Sequence, residues 1–445
     1  MFQASKTYYT YIFFLIFVFN CSEENNSENS ISTPTESVII TTLGGSKNES
    51  ARSVTQTQDG GYAVLGYTQS TDGNVTSKTN NSFDYWLLKF NNQHKLQWQK
   101  NYGGTNDDRG NCIIETHDGG FAILGASKSN DLDVSNNNGF DDFWMIKTNS
   151  SGDIIWEKSF GFSGADTGTS LIQTNDNGFL ITGVLDVSAS NGQGNTKLSA
   201  KRHAGGDYWA IKLDANGNLQ WSKYFGGTFT DTPYDITQTN TNDFILVGSS
   251  DSFDFDVKNN KGTYDFWVVK ISENGDFIWE KSFGGSQIDE ARAITQISDG
   301  NFIIVGDTRS NDIDITKNNG AADLWIIKIN TNGQLLWEKT IGGNNFDAAR
   351  AISKTADNGF LIAGNTRSSN NDVLKNNGQN DAWIVKLNSN GNLVWQQTVG
   401  GSNVDLAYSA IELTNGEVIA VGESSSSNFN ITNQGFTDLL IFRLK

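Results

Sequence analysis

Apolar residues in the stretch 284–341, GGSQIDEARAITQISDGNFIIVGDTRSNDIDITKNNGAADLWIIKINTNGQLLWEKTI, come in four short runs separated by polar punctuation. The first run, 291–297, ends at Ser298-Asp299-Gly300, and the second, 302–306, follows directly. A polar loop, 307–322, leads to a third run at 323–330, and Thr331-Asn332-Gly333 turns the chain into a fourth at 334–341. Runs of this length, rich in Ile, Val, Phe and Trp and cut by Asp-Gly and Asn-Gly, predict β-hairpins with tight turns. Four antiparallel strands make one small sheet with two apolar faces. Such a sheet cannot cover both faces by itself, so the pattern calls for further copies stacked against it.

The opening Gly-Gly recurs at Gly44, Gly103, Gly226, Gly342 and Gly400, with a degenerate version at Gly161. Start-to-start spacings are 59, 58, 65, 58, 58 and 58 residues, which gives seven units over 37–445. All 12 tryptophans fall on two registers: Trp86, Trp144, Trp209, Trp267, Trp325 and Trp383 in the third strand, and Trp98, Trp156, Trp221, Trp279, Trp337 and Trp395 in the fourth. Three polar registers are filled in every unit. An acid follows the first Gly by five residues (Glu49, Asp108, Asp166, Asp231, Asp289, Asp347, Asp405). An Asp stands two before the third-strand Trp position (Asp84, Asp142, Asp207, Asp265, Asp323, Asp381, Asp438). A base stands three after it (Lys89, Lys147, Lys212, Lys270, Lys328, Lys386, Arg443).

Four-stranded units of this size arranged radially make a β-propeller, which leaves few exposed sheet edges. The last unit reaches only its third strand, 438–445, whereas residues 37–43, SVIITTL, occupy a fourth-strand register ahead of the first Gly-Gly. The expected fold is therefore all-β: a seven-bladed propeller of four-stranded, roughly 58-residue repeats, closed by an N-terminal strand at 37–43 that completes the last blade.

Residues 1–20 are different material. Lys6 is their only charge, and 11–19, YIFFLIFVF, is too short an apolar run to span a bilayer. This is the pattern of a signal peptide. Cys21 follows at once, so the segment resembles a bacterial lipoprotein signal, in which that cysteine becomes the lipidated first residue; an ordinary cleaved signal is the alternative. Residues 21–36 are mostly Ser, Glu, Asn and Thr, a tether without core-forming residues. The other cysteine, Cys112, falls where other units carry small residues and reads as a small buried hydrophobe. Net charge is −18, which argues against nucleic acid and anionic lipid surfaces as partners.

Strand alternation places the Gly-Gly linkers and the long second-to-third loops on one face of the ring, and the tight turns on the other. The Asp registers read as caps of their own loops' backbone N–H groups. The seven bases read as solvated strand ends, with Glu157, Glu280 and Glu338 as alternative partners. In the long loops an Asp-x-Asp/Asn pair recurs, including Asp131/Asp133, Asp254/Asp256 and Asp312/Asp314. Asp-x-Asp opens many calcium loops because Ca²⁺ needs clustered oxygens; Asx turns ordering a polar loop are the other reading. His94 stands where five other units have a turn glycine, and His117 lies in another turn. Nucleophile-elbow, zinc-protease and phosphate-loop motifs are absent from the sequence. The third unit's long loop, 186–206, is seven residues longer than its counterparts and carries Lys197, Lys201, Arg202 and His203, the densest basic cluster after residue 36.

The repeat, W-E-K-x-x-G-G-x-x-x-D followed by D-G-x-F-x-I-x-G and D-x-W-I-x-K, resembles the β-propeller repeat of many Bacteroidetes surface lipoproteins. The resemblance covers 37–445 and implies a lipid-anchored outer-membrane protein, periplasmic or surface-exposed. It says little about activity, since fold does not specify function. Two expectations follow: a binding scaffold that presents the long-loop face to a protein or glycan, with the third-unit loop as a contact, or a polysaccharide hydrolase or lyase using carboxylates in the central depression. No residue is singled out as catalytic, and the first reading needs no cofactor.

Overall fold

The computed structural model describes residues 37–195 and 203–445. Its β-strands form seven four-stranded antiparallel sheets, six of them joining four consecutive strands of the chain. We number the blades from the N-terminus: 49–102, 108–160, 167–225, 231–283, 289–341, 347–399 and 405–444. The last is completed by Val38–Leu43, which pairs with Asp438–Leu444 in antiparallel register from Val38 opposite Leu444 to Leu43 opposite Leu439. First strands of successive blades touch one another around the ring, the seventh meeting the first, so these strands are innermost and the fourth strands outermost. The predicted seven-bladed propeller and its closure by the N-terminal strand are as observed.

The core lies between the blades. Ala51, Val64 and Trp86 of blade 1 pack against Ile419, Val421 and Ile441 of blade 7, and Ile245, Val247 and Phe266 of blade 4 pack against Ile304 and Trp325 of blade 5. Each sheet thus covers both apolar faces with its two neighbours, as the repeat pattern requires. The third-strand tryptophans are buried, and their indole N–H groups are all satisfied. Trp144, Trp267 and Trp325 donate to Glu157 (2.8 Å), Glu280 (3.2 Å) and Glu338 (2.9 Å); Trp86 and Trp383 donate to Gln99 and Gln396.

Those glutamates are therefore not partners of the strand-end lysines, and the lysines are not solvated. Lys89, Lys147, Lys212 and Lys386 are buried. Their ammonium groups reach the Asp of the first hairpin turn, as in Lys89–Asp59 (2.8 Å), Lys147–Asp118 (2.9 Å) and Lys212–Asp176 (2.8 Å), and Lys89 also donates to the Phe90 carbonyl. The strand ends under a hairpin turn rather than in water, a neighbour that periodicity does not reveal.

The fourth-strand tryptophans explain the turn glycines. A Cβ on Gly152, Gly275 or Gly391 would stand 2.6–2.9 Å from Trp98, Trp221 or Trp337 of the preceding blade. These glycines also have φ of 72–80°, which a side chain tolerates poorly. Blade 1 is preceded by the closing strand, which has Ile39 at that register. There His94 takes the turn position at φ 61°, with its Nε2 2.9 Å from Glu417.

Candidate functional site at the channel mouth

A polar frame surrounds the channel on the long-loop face. Each linker acid reaches back to the second linker residue: the N–H groups of Gly104, Gly227, Gly285 and Gly401 donate at 2.7 Å to Asp108, Asp231, Asp289 and Asp405. Each third-strand Asp accepts from its own loop, as Asp142 does from Asn138 (2.7 Å), Asp323 from Asn319 and Asp381 from Asn377 (2.8 Å each). The two carboxylates of neighbouring blades meet at one glycine. A Cβ on Gly44 would lie 2.6 Å from both Asp438 and Glu49, which is why no side chain fits there.

Burial pushes Asp84 and Asp265 up to about 7, and Asp142, Asp207, Asp323, Asp381 and Asp438 up to about 6. For six of these seven the facing linker acid adds to the shift; Asp207 has Asp256 and Asp254 in that role. The Oδ1 atoms of Asp142, Asp207, Asp265, Asp323 and Asp381 are buried without a hydrogen-bond partner. A buried carboxyl in such a setting favours its protonated form.

The Asp-x-Asp residues complete the frame. Asp131, Asp254 and Asp312 accept the third linker N–H (Thr105, Thr228, Ser286) at 2.8–2.9 Å. Asp133, Asp256 and Asp314 accept from Gly103, Gly226 and Gly284 at 3.1–3.3 Å. Among the described residues no group of three or more His, Cys, Asp or Glu side chains is arranged to hold a metal ion.

Inside this frame each innermost strand carries a β-bulge at the same place. A bulge leaves one residue unpaired and re-aims its side chain. The bulged residues are Arg52, Asn111, Thr169, Tyr234, Arg292, Arg350 and Tyr408, so the register that faces the channel is the one that differs from blade to blade. Large residues occupy blades 4 to 7 and 1. The Arg292 guanidinium lies 4.1 Å from the Tyr234 ring centre, and that of Arg52 lies 4.0 Å from Tyr408, geometry that favours cation–π attraction. The short pair on blades 2 and 3 turns to the backbone: Asn111 donates to Gly168 (2.8 Å) and Thr169 to Pro233 (3.0 Å).

Acids stand beside these cations. Arg292 pairs with Glu290 at 2.8 Å and lies 3.9 Å from Asp307, and Tyr408 donates to Glu423 at 3.2 Å. Asp307 is 2% exposed. Burial pushes it up to about 6, against the pull of Arg292 and with the push of Glu290. Burial, together with the like charge of Arg292, holds Arg350 below the usual guanidinium value. Its hydrogen bond runs to Asn365 at 3.4 Å. Further out, Arg309 and Arg367 flank the Phe346 ring at 5.6 and 5.8 Å, and Arg109 lies 4.1 Å from Phe83. Of the chain's eight arginines, six (Arg52, Arg109, Arg292, Arg309, Arg350, Arg367) gather at this mouth.

The third-blade loop begins with a one-turn helix, Val187–Ser190, instead of plain loop. Lys197, Lys201 and Arg202 lie outside the described residues, as does Cys21. His203 is described: its Nδ1 is 2.6 Å from Asp207, its Nε2 4.0 Å from Asp256, and its ring stacks on Phe255 at 4.9 Å. It is thus tied into the frame at the rim, beside a groove of about 280 Å³ lined in part by Tyr224, Phe255 and Phe277. The channel arginines belong to none of the invariant registers. The signal that marks them is the reverse one, a register three residues after the linker acid whose occupants vary between Arg, Tyr and small polar residues.

No protein family matches the sequence, and no curated protein matches it. Among solved structures, similar chains include the WD40 domain of Pan2 from Neurospora crassa (TM-score 0.48, 9% identity, 93% of this chain and 98% of that one). YCF48 bound to D1 peptide is similar at TM-score 0.48 and 8% identity over 94% of this chain and 99% of that one. An ancestral GH74 enzyme is similar at 0.44 and 12% over 87% and 45%.

Proposed function

We propose that this protein is a lipid-anchored, extracytoplasmic binding scaffold that engages a protein or glycan through its long-loop face. One observation carries the reading: residues that break the sevenfold pattern converge on the channel mouth, and most of the chain's arginines are among them. Repeated positions build the ring, so departures from repetition at one place are where a specific contact is made. On a chain of net charge −18 these arginines, held beside aromatic rings, are the cationic contacts through which this face would orient an anionic partner.

The test is hydrogen-exchange mapping of the purified protein against extracellular polysaccharides and envelope polymers. The expected result is protection of the inner-strand starts and long loops, with the polymer recovered at its original length. Protection confined to the tight-turn face, or cleavage of the polymer, sinks the reading. Cleavage would favour the second reading, a polysaccharide hydrolase or lyase, for which buried Asp307 beside Glu290 is the supporting observation.

Anchoring rests on the lipoprotein-like leader and is tested separately. Cys21→Ser is expected to move the protein from the membrane fraction to the soluble fraction, since the polar tether has no other membrane affinity. A variant that still sediments with membranes means that the apolar run 11–19 is itself the anchor.

A further inference from the structure

We infer that the ligand of the arginine–tyrosine mouth is a uronic-acid polymer, read through single carboxylates flanked by hydroxyl groups. This deepens the binding reading above and rests on it. The first ground is the choice of cation. Lysine supplies most of the chain's positive charge, yet the mouth is built from arginine. Arginine's planar fork matches a carboxylate with two parallel hydrogen bonds, where lysine is a point charge.

The second ground is how the guanidinium groups are held. Arg52 and Arg292 lie over the rings of Tyr408 and Tyr234, so one face of each is covered; one Nη of each is held, by the Tyr67 hydroxyl and by Glu290 (2.8 Å each), which fixes the orientation of the fork. The Nε atoms of both are buried without a hydrogen-bond partner. Leaving such donors unmatched costs free energy that an incoming acceptor recovers.

The third ground is the set of acceptors among the cations. Glu290, Asp307 and Glu423 stand beside the arginines, and Oδ2 of Asp307 also lacks a partner. These acids would repel a densely charged sulfate or phosphate polymer. They accept from hydroxyl groups, which a uronate residue carries next to its one carboxylate. Cations also repeat within two neighbouring blades, Arg292 and Arg309 on blade 5 and Arg350 and Arg367 on blade 6, with Asp307 facing the first three. A repeated arrangement suits consecutive acid residues of one polymer.

The experiment is calorimetric titration of the purified full-length protein at low salt. Its probes are oligogalacturonate and oligomannuronate of defined length, the methyl-esterified oligogalacturonate, polyglutamate and dextran sulfate. One of the two uronates is expected to bind, with esterification or Arg350→Lys each weakening it about tenfold or more. Arg350→Lys keeps the charge and removes the fork; Asn111→Ser, on the short-residue side of the same register, is expected to bind as the parent does. Equal affinity for acid and ester overturns the inference, as does tighter binding of polyglutamate or dextran sulfate. Binding of no acid polymer, while another envelope polymer still protects the long-loop face, overturns the ligand class and leaves the scaffold reading. Conversion of oligouronate to shorter or unsaturated fragments supports the ligand class and overturns the non-catalytic reading.

Discussion

Removal of residues 37–43 is expected to give an aggregating protein with a melting temperature lower by about 10 °C or more. The deleted strand pairs with Asp438–Leu444 at six positions. A ladder of that length at about 1 kcal/mol net per hydrogen bond, with partial burial of Val38, Ile40 and Leu43, contributes on the order of 5–8 kcal/mol. The loss does not stay local. Leu439 and Ile441 of the strand left at the edge pack toward blade 1, and Leu440, Phe442 and Leu444 pack toward blade 6. An unpaired strand of alternating Leu, Ile and Phe is a template for pairing with another chain. Thermal unfolding and light scattering of the truncated protein check this. A monomer with an unchanged transition would mean that the N-terminal strand does not hold the ring closed.

The second large effect is on pH. The seven third-strand aspartates have folded-state values near 6 to 7, against about 3.9 in an unfolded chain. Between those values the folded state binds more protons than the unfolded one, so stability falls as pH rises from about 4 to about 7. Half a unit at each of seven sites already amounts to about 5 kcal/mol, at about 1.4 kcal/mol per unit. His203, raised overall through Asp207 despite the opposing effect of burial, acts in the same direction; His94, lowered by burial, acts against it.

At the acid end the sign reverses. Burial raises Asp118, Asp176 and Asp357, but the hydroxyl, lysine and backbone donors outweigh it and hold all three at about 2. Their stabilisation is present above about pH 4 and is lost as pH falls toward 2. The melting temperature is therefore expected to peak near pH 4–5 and to drop by about 10 °C toward pH 8. Asp265→Asn should raise it at pH 8 and leave it nearly unchanged at pH 5, because the amide removes the charge that burial opposes. A flat profile from pH 5 to 8 would show that the paired carboxylates are neutralised by something other than protons.

The number of blades, the four strands of each, the glycine turns and the closing strand are all legible in the chain alone. All of these follow from local periodicity repeated at a fixed spacing. A sheet with two apolar faces has no stable arrangement except against its own copies, so the repeat carried the architecture with it. It also marked the positions that hold each linker, because those contacts recur in every unit.

Neighbours that the repeat does not place arise only when the blades pack. The strand-end lysines lie under a hairpin turn, and Glu157, Glu280 and Glu338 belong to tryptophan indoles. The bulge in each inner strand turns one register toward the channel. Ring closure then brings Arg52 of the first blade against Tyr408 of the last, 356 residues away along the chain. A contact of that kind comes from the curvature of the whole ring, to which every blade interface contributes, and no local pattern in the chain encodes it.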